Sequence, residues 1–136
     1  MLMLKTYLVE DSAVIRQSLI TTLEELSDVK VIGTAEDEAS AVAWLGDINN
    51  MVDLVIIDIF LKGGSGLGVL RSVNAMALDC NLVVLTNYAT VDMRRKCIEL
   101  GARRVFDKSN DIDALIHFCE KLSSGDPDTT SPGLLQ

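Results

Sequence analysis

Apolar residues recur along this chain at two alternating spacings, one of a strand and one of a helix. Leu4 to Val9 is a short strand-like run. From Ser12 to Leu26 the spacing is helical, with Ile15, Leu19, Leu23 and Leu26 on one face. Val29 to Ala35 is strand-like again, and Glu38 to Leu45 forms a short helix. Asp53 then opens the run Leu-Val-Ile-Ile, which ends at Asp58. A run apolar on both faces is what a central strand of a covered parallel sheet requires. A loop with Gly63, Gly64 and Gly66 leads into a helical pattern from Leu67 to Met76. Asn81 to Leu85 is a second fully apolar strand, ending at Thr86. Val91 to Leu100 reads as a helix, with Gly101 placed to cap it. Arg104 to Phe106 is a short strand, and Asn110 to Leu122 a last helix burying Ile112, Leu115, Ile116 and Cys119. Five strands alternating with five helices predict an α/β fold. It is a doubly wound five-stranded parallel sheet with right-handed crossovers and helices on both faces. Residues 123–136 are polar and aperiodic, so the expected division is one domain over 1–122 and a disordered tail over 123–136.

Composition narrows the picture. The 136 residues suit one domain, and 49% hydrophobic content supplies a sizeable core. No apolar run approaches a membrane span, and no secretory leader stands before the first strand, so a cytoplasmic protein is expected. The formal net charge of −8 argues against direct nucleic-acid binding. Charge is nevertheless uneven: Arg94, Arg95, Lys96, Arg103, Arg104 and Lys108 make up half of the 12 basic residues. They are expected either as a solvated face or as a partner-docking surface. Cys80, Cys97 and Cys119 are widely spaced in apolar contexts and read as reduced, buried thiols. His117, the one histidine, lies in a helical pattern and is expected to be solvated or half-packed.

Sites in open parallel α/β sheets form beyond the carboxyl ends of the strands. Here those ends carry Glu10 and Asp11, Asp58, Thr86 and, after the fifth strand, Lys108. Singly, each has a plainer explanation. Acids favour a helix start, Thr86 can merely end a strand, and Lys108 can be solvated. Asp58 is harder to dismiss, because an acid closing a buried apolar strand is costly without a partner. Three carboxylates meeting at one edge repel unless a cation compensates, and a hard divalent ion, Mg²⁺ best, suits an all-oxygen set. Such an ion and Lys108 can balance a transferring phosphoryl group, to which Thr86 can donate a hydrogen bond.

These residues, in this order and spacing, resemble the receiver domain of response regulators in two-component signalling. The matching segments are Leu8-Val9-Glu10-Asp11-Ser12, Val55-Ile56-Ile57-Asp58-Ile59, Gly66-Leu67, Leu85-Thr86, Gly101-Ala102 and Asp107-Lys108. They extend over residues 3–122. The resemblance implies a flavodoxin-like sheet in the order 2-1-3-4-5. It implies Asp58 as acceptor of a phosphoryl group from the phosphohistidine of a sensor histidine kinase or phosphotransfer protein. It implies Mg²⁺ held by Asp11, Asp58 and the backbone carbonyl of Phe60, with Glu10 acting through water. Thr86 and Lys108 would contact the phosphoryl group, and Thr86 would couple it to the face of the fourth helix and fifth strand. Output would pass to a downstream effector protein or a second copy, with no membrane and no enzymatic activity beyond the domain's own phosphorylation and dephosphorylation.

The chain departs from the common receiver pattern at four positions. Lys62 and Ser109 stand where proline is frequent. Asn87 replaces a small residue after Thr86, where it can crowd the phosphoryl group or offer it a donor. Val105 stands where many receivers carry an aromatic switch residue, with Phe106 beside it. Two other functions compete. An aspartyl-phosphate phosphohydrolase of the haloacid-dehalogenase type needs a second Asp two residues after the nucleophile, and Phe60 is there instead. A scaffold that takes no phosphate is the other, kept open by Asn87 and Val105. Residues after 122 are too few for a DNA-binding module, so the expectation is a stand-alone receiver or a fragment of a longer protein.

Overall fold

The computed structural model describes residues 3–125. Five strands, β1 (Leu4–Val9), β2 (Val29–Ala35), β3 (Leu54–Ile57), β4 (Asn81–Thr86) and β5 (Arg104–Asp107), alternate with five helices. The helices are α1 (Ala13–Leu26), α2 (Glu38–Leu45), α3 (Gly66–Met76), α4 (Val91–Glu99) and α5 (Ile112–Ser124). All strand pairs are parallel, in the order β2-β1-β3-β4-β5. The doubly wound fold expected from the alternating periods is therefore the fold observed.

Strand alternation divides the core in two. Tyr7, Val9, Val55, Ile57, Val84 and Val105 face one side, with α2, α3 and α4 residues such as Leu45, Leu70 and Cys97. Leu8, Leu54, Ile56, Val83, Leu85 and Phe106 face the other, against Leu19 and Leu23 of α1 and Leu115 and Phe118 of α5. All four residues of β3 are fully enclosed, which is why the sequence there is apolar on both faces. Truncating Ile56 to alanine at such a position costs about 2–5 kcal/mol.

Three expectations need adjustment. α1 buries Leu19 and Leu23, but Ile15 and Leu26 are exposed. Ser12 is not the first helical residue but the N-cap, its hydroxyl accepting from the Ile15 N–H at 3.3 Å. α5 continues to Ser124 and ends on Gly125, whose φ of 81° is the left-handed value that closes a helix. The first residues of the expected disordered tail are thus helical, and residues 126–136 lie outside the described part.

Candidate functional site

Register brings the strand ends level. Val9 pairs with Ile57, Ile57 with Val84, and Thr86 with Asp107. β1, β3 and β5 then deliver their next residues, Glu10, Asp58 and Lys108, to one edge, and β4 ends there on Thr86. The ladder continues past the strands, with Asp58 N–H donating to the Val9 carbonyl at 2.9 Å and Lys108 N–H to the Thr86 carbonyl at 3.0 Å.

Glu10 is 1% exposed and Asp58 8%. Two buried carboxylates need compensation, and the Lys108 ammonium supplies it. Nζ lies 2.5 Å from Glu10 Oε1 and 3.0 Å from Asp58 Oδ2. Burial alone would lower the Lys108 pKa, but its hydrogen bonds to Glu10 and Asp58 together with their charge attraction outweigh that and hold it above the ordinary lysine value. Glu10 is also pinned by the backbone. Its Oε2 accepts from Ser12 N–H at 3.0 Å, and its carbonyl accepts from Arg16 Nη1 at 2.8 Å. Glu10, Asp11 and Asp58 each offer an oxygen within 4.8 Å of the others.

The loop after Asp58 doubles back on it. Gly66 N–H donates to the Ile59 carbonyl at 2.8 Å, and Phe60 and Ser65 form an isolated antiparallel bridge. Gly66 packs so closely that a Cβ there would overlap the Asp58 carbonyl, which explains a glycine at the start of α3. Phe60 and Tyr88, each two residues beyond a strand-end residue, meet edge-to-face with centroids 5.0 Å apart. Both rings remain more than half exposed, at 53% and 59%.

Not every expected residue converges. Thr86 is fully buried, and its hydroxyl accepts from Tyr88 N–H at 3.1 Å within the β4–α4 turn. Asn87 is exposed. Val105 and Phe106 alternate across the sheet. Val105 packs on the α4 side, whereas Phe106 enters the opposite core and meets Phe118 at 5.8 Å. Phe106 therefore does not take the place of a switch aromatic at position 105.

The basic segment is divided as well. Arg94 is less free than expected, being only partly exposed. It donates to the carbonyls of Ala89 at 3.0 Å and Val105 at 2.8 Å, and reaches Asp111 at 3.4 Å. Arg104 lies over the rings of Phe106 and Phe118, on the α5 side. Arg103 is half-buried, and Lys108 belongs to the acidic pocket. Arg95 and Lys96 stay exposed on α4. Cys97 and Cys119 are buried and Cys80 partly so, all as free thiols. Burial pushes Cys97 up to about 11 and Cys119 up to about 12, which keeps both protonated at neutral pH. His117 is exposed on α5.

Sequence reasoning missed Arg16, Glu36 and Glu38, which brace this edge from outside. Arg16 bonds Glu36 at 3.4 Å as well as the Glu10 carbonyl. Glu38 Oε1 accepts from Ser65 N–H at 3.0 Å. These pairings bridge 20 and 27 residues and carry no periodic signal.

A parallel sheet in the order 2-1-3-4-5, with an acidic trio and a lysine at its carboxyl edge, defines the receiver class of signalling domain. The chain matches the response regulator receiver domain family over residues 6–120 and belongs to it. It is 26% identical over 123 residues to the response regulator UvrY of Escherichia coli, an alignment covering 90% of this chain and 56% of that protein. The chain thus spans little more than half the length of that relative. A LuxR-family two-component response regulator from an Aurantimonas species has the same fold, with a TM-score of 0.81 and 22% identity. That superposition covers 98% of this chain and 93% of the other. A Burkholderia pseudomallei response regulator, solved with a phosphorylated aspartic acid and a calcium ion, superposes with a TM-score of 0.71 at 22% identity. It covers 89% of this chain and 69% of that one. Among the described residues, no helix is long and apolar enough to cross a membrane.

Proposed function

We propose that this domain accepts a phosphoryl group on Asp58 from the phosphohistidine of a histidine kinase or phosphotransfer protein, and signals through contacts that depend on that modification. The observation that carries the reading is the Lys108 ammonium 3.0 Å from Asp58, inside a trio of carboxylates at the strand ends. An Asp58 oxygen attacks phosphorus as the bond to the histidine nitrogen breaks, and that nitrogen keeps the electron pair. Lys108 already touches the acceptor carboxylate, so it is placed to stay with the negative charge that the phosphoryl oxygens bring.

The donor set is all oxygen and suits Mg²⁺ rather than a thiophilic ion. Asp11, Asp58 and the Phe60 carbonyl would hold it directly. Glu10, already engaged by Lys108 and Ser12 N–H, fits a role through water. A bound Mg²⁺ supplies charge neutralisation for the transferring group. Thr86 would contact the phosphoryl group after turning from its bond with Tyr88 N–H. Asn87, exposed beside it, is a further candidate donor. The Burkholderia pseudomallei response regulator carries a phosphorylated aspartic acid and supports the same chemistry by likeness. A dehalogenase-type phosphohydrolase lacks support, because Phe60 offers no carboxylate for acid–base catalysis.

The test is intact mass after incubation with Mg²⁺ and acetyl phosphate. A single phosphoryl adduct is expected on the wild type and none on Asp58→Asn. An adduct on Asp58→Asn, or none on either protein, would reject the assignment. Asp11→Ala is expected to phosphorylate slowly at limiting Mg²⁺, and normal rates there would remove Asp11 from the ligand set.

A further inference from the structure

The loop from Ile59 to Ser65 carries the Phe60 carbonyl and closes on itself through the Phe60–Ser65 bridge. Its bracing comes from the turn between β2 and α2. Glu38 N–H donates to the Gly63 carbonyl at 2.9 Å, and Glu38 Oε1 accepts from Ser65 N–H at 3.0 Å. One residue thereby grips the loop on both sides of Gly64. The sequence makes room for this grip. Gly64 has φ 75°, and a Cβ there would meet Glu38 Oε1 at 2.5 Å. A Cβ at Gly68 would overlap both Glu38 oxygens. Two glycines on one carboxylate mark a packed contact, not a passing one.

The same turn makes a second link. Glu36 meets Lys62 at 3.6 Å and Arg16 at 3.4 Å, and Arg16 holds the Glu10 carbonyl. Lys62 is 64% exposed and Glu36 44%, so that ion pair contributes little. The Glu38 bond involves a half-buried backbone donor and a charged acceptor, which is the stronger kind. Because Phe60 pairs with Ser65, a shift at Ser65 is passed straight to the residue whose carbonyl the proposed function assigns to the cation.

We propose that Glu38 is a positioning residue for the phosphoacceptor pocket, fixing through Ser65 the loop that presents the Phe60 carbonyl to a divalent cation. This rests on the reading of Asp58 as a Mg²⁺-dependent acceptor. Removing an outer support of this kind typically weakens metal affinity by about 10–100-fold.

The experiment follows Mg²⁺ titration by the amide chemical shifts of residues 58–66, together with hydrogen exchange at Ser65. Wild type, Glu38→Ala, Glu38→Gln and Asp37→Ala are compared. Glutamine keeps an oxygen that can accept from Ser65 N–H. Asp37→Ala removes the α2 N-cap, which accepts from Ser40 N–H at 2.7 Å, without touching the Ser65 bond. Glu38→Ala is expected to weaken Mg²⁺ binding by about tenfold and to speed exchange at Ser65. Glu38→Gln should restore both most of the way, and Asp37→Ala should leave both near wild type. Equal loss in Asp37→Ala and Glu38→Ala would overturn the proposal, as would unchanged binding and exchange in Glu38→Ala. No Mg²⁺ response in the wild type would reject the cation itself. Faster Ser65 exchange confined to Glu38→Ala would even then bear out the grip on the loop.

Discussion

Lys108 is the cation that both Glu10 and Asp58 touch, so its removal leaves two enclosed carboxylates unpaired. Breaking a buried pair from one side costs about 3–5 kcal/mol. Lys108→Ala is expected to lose stability of that order in chelator and to regain part of it in Mg²⁺, measured by denaturant unfolding in each. Equal loss in both conditions would show that the ion does not take over the charge. The pH dependence has a definite sign. The folded pKa of Lys108 is raised, so its contribution is complete below the ordinary lysine value of 10.5. It fades only as pH climbs through the higher folded value, so stability from this pair should be flat across neutral pH. Phe60 and Tyr88 act at the same scale. Their rings meet with centroids 5.0 Å apart, each two residues beyond a strand-end residue, Asp58 and Thr86; if they flank a phosphorylated Asp58, they hinder water from approaching in line. Phe60→Asn and Tyr88→Ala should each shorten the phosphoryl lifetime by about tenfold, equivalent to about 1.4 kcal/mol of barrier. Unchanged lifetimes in both variants would mean that the rings shield nothing.

At the scale of elements, α4 is tied down by one side chain. Arg94 holds the carbonyls of Ala89 before the helix and Val105 of β5, and it reaches Asp111 at the start of α5. Its ion pair is 41% exposed on the arginine side and counts for little. The two charge-assisted bonds to carbonyls should count for about 1.5–3 kcal/mol together. Arg94→Ala should lose that much in denaturant unfolding, and Arg95→Ala less than about 0.5 kcal/mol. Equal effects would mean that the inward geometry of Arg94 is incidental. The contrast also marks how far sequence reaches. β3 and β4 were legible because strands buried on both faces must be apolar throughout. Asp58 and Lys108 were legible because strand ends are where a parallel sheet gathers its chemistry. Arg94 was not, since three consecutive basic residues look alike until a helix turns one of them inward. Ile15 and Leu26 misled for the opposite reason, as helical spacing says which face points inward but not how far the sheet extends beneath it. Glu38 left no trace at all, because its partner Ser65 lies 27 residues away in a loop.

Within a molecule of net charge −8, the basic segment from Arg94 to Lys108 leaves little basic surface. Lys108 is inside the acidic pocket, Arg94 is bound to carbonyls, and Arg104 rests on two phenylalanine rings. The exposed basic residues of α4 are Arg95 and Lys96, beside Val91, which is 73% exposed. Among the described residues, Arg95 makes a long, exposed contact of 3.8 Å with Asp92, which holds its charge weakly. The docking surface expected from sequence thus contracts from a broad basic face to the outer side of one helix. It remains a proposal that this side meets an acidic partner or a second copy once Asp58 is phosphorylated. An acidic partner would be steered there at rates that fall as salt rises. Arg95→Glu/Lys96→Glu is the suitable probe, because it reverses charge without cutting the Arg94 ties. Sedimentation velocity with and without acetyl phosphate, at low and high salt, should show phosphorylation-dependent association in the wild type and its loss in the double variant. Association that survives both charge reversal and salt would place the interface on another face, with Arg95 and Lys96 serving only to keep α4 solvated.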